Sequence, residues 1–240
     1  MNIKTLILGL FITTSIASCN CCDESGNVRT SIRSVPAFES IVTNGNFNVY
    51  ITPAETQEVK VVADEHVEPT IETEVSNGIL TISFKSNTNK INLCKTTADR
   101  LDIYISMPLI KSIDLEGSGM VQSTGVLKST NLSVILNGSG KVILADSCNA
   151  ATVSCNGSGM ITLNGQAKDQ TITLGGSGSI NASGFETENT TANLSGSGTI
   201  STRVTKLLNA ALSGSGSIFY YGNPTTVNKN QTGSGVIEGR

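Results

Sequence analysis

Along residues 111–240 aliphatic side chains fall at alternate positions in short runs, and the runs recur at a fixed distance. A Gly-Ser-Gly triplet marks each recurrence, beginning at Gly117, Gly138, Gly157, Gly176, Gly196, Gly214 and Gly233, with successive spacings of 21, 19, 19, 20, 18 and 19 residues. Four residues before each triplet stand Ile113, Val134, Val153, Ile172, Ala192, Ala210 and Lys229. Two before it stand Leu115, Leu136, Cys155, Leu174, Leu194, Leu212 and Gln231. Four after its first glycine stand Val121, Val142, Ile161, Ile180, Ile200, Ile218 and Ile237. All these offsets are even, so the three sets share one face of an extended chain. The odd positions are mostly Ser, Thr, Asn, Lys or Asp, the pattern of a solvated face. A repeat of about 20 residues without an amphipathic helix predicts one coil of a β-solenoid, each strand pairing in parallel with its counterpart in the next coil. A flexible Gly/Ser linker would not carry three apolar columns in register.

The triplet glycines also sit at even offsets and are expected to face inward, at a corner where no Cβ fits or φ must be positive. One coil cannot repay the entropy of ordering its backbone, so stability is expected only from stacking. Seven coils at ~4.8 Å each would make a rod roughly 34 Å long. In the last coil Lys229 and Gln231 interrupt two columns while Ile237 keeps the third, which predicts a capping repeat. Upstream, Phe38–Thr43, Phe47–Thr52, Val59–Ala63, Ile79–Lys85 and Leu101–Met107 read as strands, with Asn44-Gly45 and Asn77-Gly78 as turn signals. Ile41, Gly45, Phe47 and Val49 repeat the later spacing. Residues 37–110 are therefore expected to form irregular first coils and an amino-terminal cap, with one short helical turn within 64–74. The whole of 37–240 reads as a single domain.

The amino terminus carries a different pattern. Lys4, an apolar run from Leu6 to Ile16 and small residues before Cys19 make a secretory signal peptide over residues 1–18, too short to span a membrane. Ile16-Ala17-Ser18-Cys19 resembles a bacterial lipobox, and that resemblance implies a diacylated Cys19 and attachment to the membrane through lipid. An ordinary signal peptide with an incidental cysteine is the alternative. Residues 19–36 are expected to be a lipidated start and tether. The acidic run Cys21-Cys22-Asp23-Glu24 resembles the export signals of surface lipoproteins, which places the domain on the outer membrane, facing outward or into the periplasm.

Charge and cysteine content narrow the choices. Residues 23–110 hold 12 acidic and 7 basic groups, residues 111–240 hold 7 and 8, and the net charge of the chain is −3. No basic stripe suits a phosphate backbone, and no Trp with few Tyr and Phe leaves little to stack on bases, so nucleic acid is excluded as a partner. Besides Cys19 there are five cysteines, Cys21, Cys22, Cys94, Cys148 and Cys155, an odd number whose spacing fits no zinc pattern. Cys155 stands in the leucine column and is expected to be a small buried hydrophobe.

No cofactor, metal site or catalytic group emerges. Gly138-Ser139-Gly140-Lys141 lacks the rest of a phosphate loop, and no triplet has the third glycine of a dinucleotide fingerprint. The repeats lack the aspartate of calcium-binding β-rolls. Asp64, Glu65, Glu68 and Glu72 could in principle hold a cation, but a solvated acidic face explains them as well. His66, the single histidine, is flanked by Asp64, Glu65 and Glu68, neighbours that would favour its charged form over a poised base. The clustered Asp, Lys and Arg of polysaccharide-cleaving β-helices are absent.

Taken with the lipobox, the order Phe38-Glu39-Ser40-Ile41, Gly45-Asn46-Phe47-Asn48-Val49, Asn77-Gly78-Ile79-Leu80, Met107-Pro108-Leu109-Ile110 and Glu116-Gly117-Ser118-Gly119 resembles the putative auto-transporter adhesin, head GIN domain family of Bacteroidetes lipoproteins. The resemblance covers about residues 37–222. It implies a right-handed parallel β-helix in the cell envelope and brings no catalytic residues. The expectation is a non-enzymatic, lipid-anchored binding module for a glycan or a host or cell-surface protein. Its candidate surface is the repetitive hydroxyl and amide exterior, rich in Ser, Thr and Asn, on which Ser118, Ser139, Ser158, Ser177, Ser197, Ser215 and Ser234 would form one outward ladder. A passive envelope scaffold is the alternative, and a glycan-active β-helix enzyme a more remote one; oligomeric state is open.

Overall fold

A computed structural model describes residues 27–85 and 100–240. The signal peptide, Cys19, Cys21, Cys22 and Cys94 lie outside the described residues. Nearly all of the rest is strand, wound so that each coil contributes once to each of two stacks. Sheet B holds β1 (Val28–Arg33), β4 (Glu58–Asp64), β7 (Leu101–Met107), β3 (Asn48–Pro53) and β9 (Met120–Lys128). It continues through the first halves of β11 (Lys141–Gly157), β12 (Met160–Gly176), β13 (Ser179–Gly196) and β14 (Thr199–Gly214), then β15 (Ser217–Tyr221) and β17 (Val236–Gly239). Sheet A runs from β5 (Ile71–Ser76) and β6 (Ile79–Phe84) through β2 (Ser40–Gly45), β8 (Ser112–Gly117) and β10 (Asn131–Gly138). The second halves of β11–β14 and finally β16 (Thr226–Thr232) complete it.

The apolar columns are axial rows. Leu115, Leu136, Cys155, Leu174, Leu194 and Leu212 pair in unbroken parallel register. Ile113, Val134, Val153, Ile172, Ala192 and Ala210 form the row beside them, and Val121 to Ile237 the facing row on sheet B. Nearly all these side chains lie at most 3% exposed, so the solenoid is filled by its own aliphatic rows. Cys155 is fully buried among the leucines, as its position predicted. Thr43 stands in the leucine row between Ile82 and Leu115, buried and with its hydroxyl unpartnered.

The amino-terminal half departs from chain order. The coil of β2 and β3 registers on β8 and β9, with Ile41 on Ile113, Gly45 on Gly117 and Val49 on Val121. The later strands β6 and β7 then pair in parallel on its other side, outside it. Antiparallel β5, β4 and β1 close that end. One expectation is corrected here and one is met. Val28–Arg33, assigned to the tether, form β1: Val28, Thr30 and Ile32 face out, while Arg29 and Arg33 turn onto Glu68 at 3.2 and 2.7 Å. Within 64–74 the helical turn is a 3₁₀ turn at Glu68–Thr70, after which Ile71 begins β5.

The other end is closed by side chains. Lys229 Nζ donates to the carbonyl of Ile237 at 2.9 Å, and Gln231 Nε2 to that of Gly235 at 2.6 Å. Two polar residues in the apolar columns thus satisfy carbonyls where the stack stops, which is what a capping coil requires.

Candidate functional site

The triplets are the corner between sheet A and sheet B, and both glycines are needed there. The first has positive φ, +128° at Gly157. Its carbonyl accepts two amides of the next coil: Gly138 O takes Ser158 N–H at 3.1 Å and Gly159 N–H at 3.0 Å. A Cβ on the second glycine would collide with the coil below; at Gly159 it would lie 2.6 Å from Leu136 Cδ2 and 2.7 Å from Gly140 O. Only the serine between them can carry a side chain. Ser118, Ser139, Ser158, Ser177, Ser197, Ser215 and Ser234 are all exposed along this corner, one per coil, and Ser234 Oγ donates to Ser215 Oγ at 3.2 Å.

Next to this ladder lies the outer face of sheet A, the part of the Ser/Thr/Asn-rich exterior that the sequence could not assign to one sheet. Its rows read Ser133, Thr152, Thr171, Thr191, Asn209, Asn228; then Ser154, Thr173, Asn193, Ala211, Asn230; then Asn137, Asn156, Gly175, Ser195, Ser213, Thr232. Amides bond along the axis, Asn156 to Asn137 at 3.0 Å and Asn228 to Asn209 at 2.9 Å. Where Gly175 and Ala211 replace longer side chains the face sinks into two adjoining open depressions of about 210 and 260 Å³, sharing Asn193, Ala211 and Asn230. Ser, Thr and Asn side chains rim them, while the surface inside is mostly apolar. The signal was present in the sequence as the odd offsets from each triplet; what it lacked was the adjacency of coils.

At the amino-terminal end of the same face Asp114 and Glu116 point outward from one strand. Burial, and then the neighbouring Glu116, raise the Asp114 carboxyl above the usual range. This is one carboxylate pair, without the histidine: His66 is exposed and lies 3.7 Å from Glu65. The acidic segment does not converge either. Glu68 is buried and taken by Arg29, Arg33 and the Ser31 hydroxyl at 2.5 Å, and Asp64 accepts the His66 amide. Among the described residues no three His, Cys, Asp or Glu side chains gather as metal ligands would.

A second group escaped sequence reasoning. Asp146 is fully buried, accepts Ser129 Oγ at 2.5 Å through Oδ2, and leaves Oδ1 without a partner. Burial pushes its carboxyl up, against the pull of its hydrogen bonds. Burial, and then Asp146, push the Cys148 thiol to about 12, so it stays protonated and is no nucleophile at neutral pH. Because the folded state holds the Asp146 proton more tightly than the unfolded chain does, the penalty is absent in acid. It grows as pH rises from the unfolded carboxyl range to the raised folded value. Asp146→Asn, which keeps an acceptor for Ser129, is expected to stabilise the domain by about 1–3 kcal/mol at neutral pH. The gain should vanish below pH about 4; urea unfolding of both proteins at the two pH values measures it.

Comparison with known proteins places this architecture. The family model of the putative auto-transporter adhesin, head GIN domain, matches residues 37–224. The chain belongs to this family. The head GIN fold here resembles the crystal structure of a putative adhesin from Bacteroides fragilis, with 25% identity, a TM-score of 0.83, and coverage of 90% of this chain and 98% of that one. A putative lipid binding protein from Parabacteroides distasonis is also 25% identical, with a TM-score of 0.75 and the same coverage. A putative adhesin from Parabacteroides merdae shares the fold at 20% identity, TM-score 0.70, covering 90% and 97%. A search of curated proteins finds no match. The triplet corner and stacked rows of this head GIN domain make it a parallel β-solenoid with a repeat of about 19 residues, and its kinship is with adhesin-like proteins.

Proposed function

We propose that this protein is a lipid-anchored component of the bacterial envelope that works as a non-catalytic binding module, with the outer face of sheet A as its contact surface. The observation that carries the reading is the pair of depressions around Asn193, Ala211 and Asn230. They sit in a flat field of hydroxyls and amides, bordered by the serine ladder. Such groups offer both donors and acceptors at the coil spacing and suit the hydroxyls of a glycan or the backbone of an extended peptide. Kinship with putative adhesins supports contact with another surface, and the lipobox-like Ile16-Ala17-Ser18-Cys19 supports the anchor.

Glycan and extracellular-matrix arrays probed with the purified domain test this. Binding is expected, and Ala211→Arg, which fills the shared depression without touching the core rows, should weaken it at least about tenfold, or ~1.4 kcal/mol. Binding that survives Ala211→Arg unchanged would move the surface elsewhere; absence of binding across the arrays, with reproducible crosslinks to neighbouring envelope proteins in cells, would favour a scaffold.

A further inference from the structure

The outer face of sheet B is unlike that of sheet A. Register alone places Ile32, Lys60, Tyr104, Tyr50, Gln122 and Ile143 side by side across six strands. The next row runs Val62, Asp102, Asn48, Met120, Lys141 and Met160, with the Asp102 carboxylate paired to Arg100 at 2.8 Å. Ile32 is 68% exposed and Met160 44%. The Tyr50 and Tyr104 rings stack at 5.1 Å, and Lys60 Nζ covers Tyr104 at 4.8 Å. Ring faces that lie against each other and a lysine are not free to stack on a sugar, so their edges and hydroxyls are what this surface presents. Beyond Met160 the rows turn to Ser179, Thr199, Ser217 and Asn181, Ser201. At the far end Phe219 is covered by the Arg240 guanidinium at 3.6 Å, and Val236 stands exposed on β17, apart from the others. The contiguous apolar patch therefore lies in the amino-terminal half of this face.

That half is also where the chain leads to its anchor. The patch begins on β1, and the nine residue steps from Cys19 to Val28 reach at most about 30 Å. We propose that this face rests on a lipid bilayer, with Ile32, Tyr50, Tyr104, Met120, Ile143 and Met160 at the headgroup boundary. Amphipathic tyrosines, aliphatic side chains and lysines that can reach lipid phosphate are the composition of an interfacial surface. Docked so, the solenoid lies on its side and turns sheet A, with its depressions, away from the membrane. The inference rests on the envelope reading above and adds an orientation to it.

The test holds the chain on vesicles independently of lipidation. The mature chain with Cys19→Ser and an amino-terminal hexahistidine tag is bound to phosphatidylcholine vesicles containing phosphatidylglycerol and a nickel-chelating lipid, with plain or brominated acyl chains. Tyr220→Phe and Tyr221→Phe leave Tyr50 and Tyr104 as the only fluorophores of their kind. Because an interfacial face sinks about 5–10 Å, within bromine contact, emission should fall by roughly half on the brominated vesicles. Adding Ile32→Glu and Met160→Glu should abolish that loss while the strand signal in circular dichroism stays unchanged. Equal emission on the two kinds of vesicle, with flotation showing the protein bound, would overturn the proposal, as would quenching that persists undiminished in the double variant. Failure of the glycan arrays, or of lipid labelling at Cys19, would count against the anchored adhesin instead and would leave this result standing.

Discussion

Gly157→Ala is expected to destabilise the domain by about 2–6 kcal/mol, from the strain of a β-carbon at positive φ and from overpacking. The backbone there has φ +128°, and the new Cβ would stand 2.5 Å from the carbonyl oxygen of Gly138. That oxygen cannot withdraw, since it accepts the amides of both Ser158 and Gly159. Two neighbours in the repeat separate this effect from a general intolerance of substitution. Ser158 is exposed, so Ser158→Ala should stay within about 0.5 kcal/mol of the parent. Gly175 faces outward without positive φ, and a Cβ there meets only the end of the Asn156 side chain at 3.2 Å. Gly175→Ala should therefore also be mild. Thermal and urea unfolding followed by circular dichroism would show the contrast, and a Gly157→Ala protein melting with the parent would disprove the corner account.

The second large effect belongs to the amino-terminal cap. Glu68 is 3% exposed and receives Arg33 at 2.7 Å, Arg29 at 3.2 Å and the Ser31 hydroxyl, so its carboxylate ties three side chains of β1 to the 3₁₀ turn. Glu68→Ala leaves the partly buried Arg33 guanidinium with only the backbone carbonyls of residues 68 and 71, at 3.3 and 3.4 Å, and no counter-charge. Losing one partner of a buried ion pair costs about 3–5 kcal/mol. The loss should be local first: amide hydrogen exchange in β1 and β4 should accelerate well before exchange in β11–β14, because coils of a solenoid touch only their neighbours. Uniform acceleration through all coils would refute that picture.

How much of this was legible beforehand depends on the range of the contact concerned. Leu136, Leu174, Leu194 and Leu212 could be assigned to one row because each is tied to its triplet by a fixed even offset, and the triplet sets the coil length. The serine ladder followed from the same count. β1 was not legible, since Val28, Thr30 and Ile32 alternate over only six residues and their pairing with β4 is antiparallel and distant. Asp146 was hidden for a related reason. It occupies an inward position that Leu127 fills one coil below and Gly165 one coil above, and a column so mixed has no period to read.

The amino-acid order by itself determined the solenoid, its coil length, its three apolar rows and its polar last coil, because an even offset from a glycine corner is a local quantity and repeats impose it on every neighbour. Tertiary structure alone decided that β6 and β7 lie outside β2 and β3, and so that Tyr104 stacks on Tyr50 across 54 positions of sequence. It likewise decided which outward residues become one surface. Side chains facing solvent carry no packing constraint along the strand, and only the stacking of separate coils brings them together.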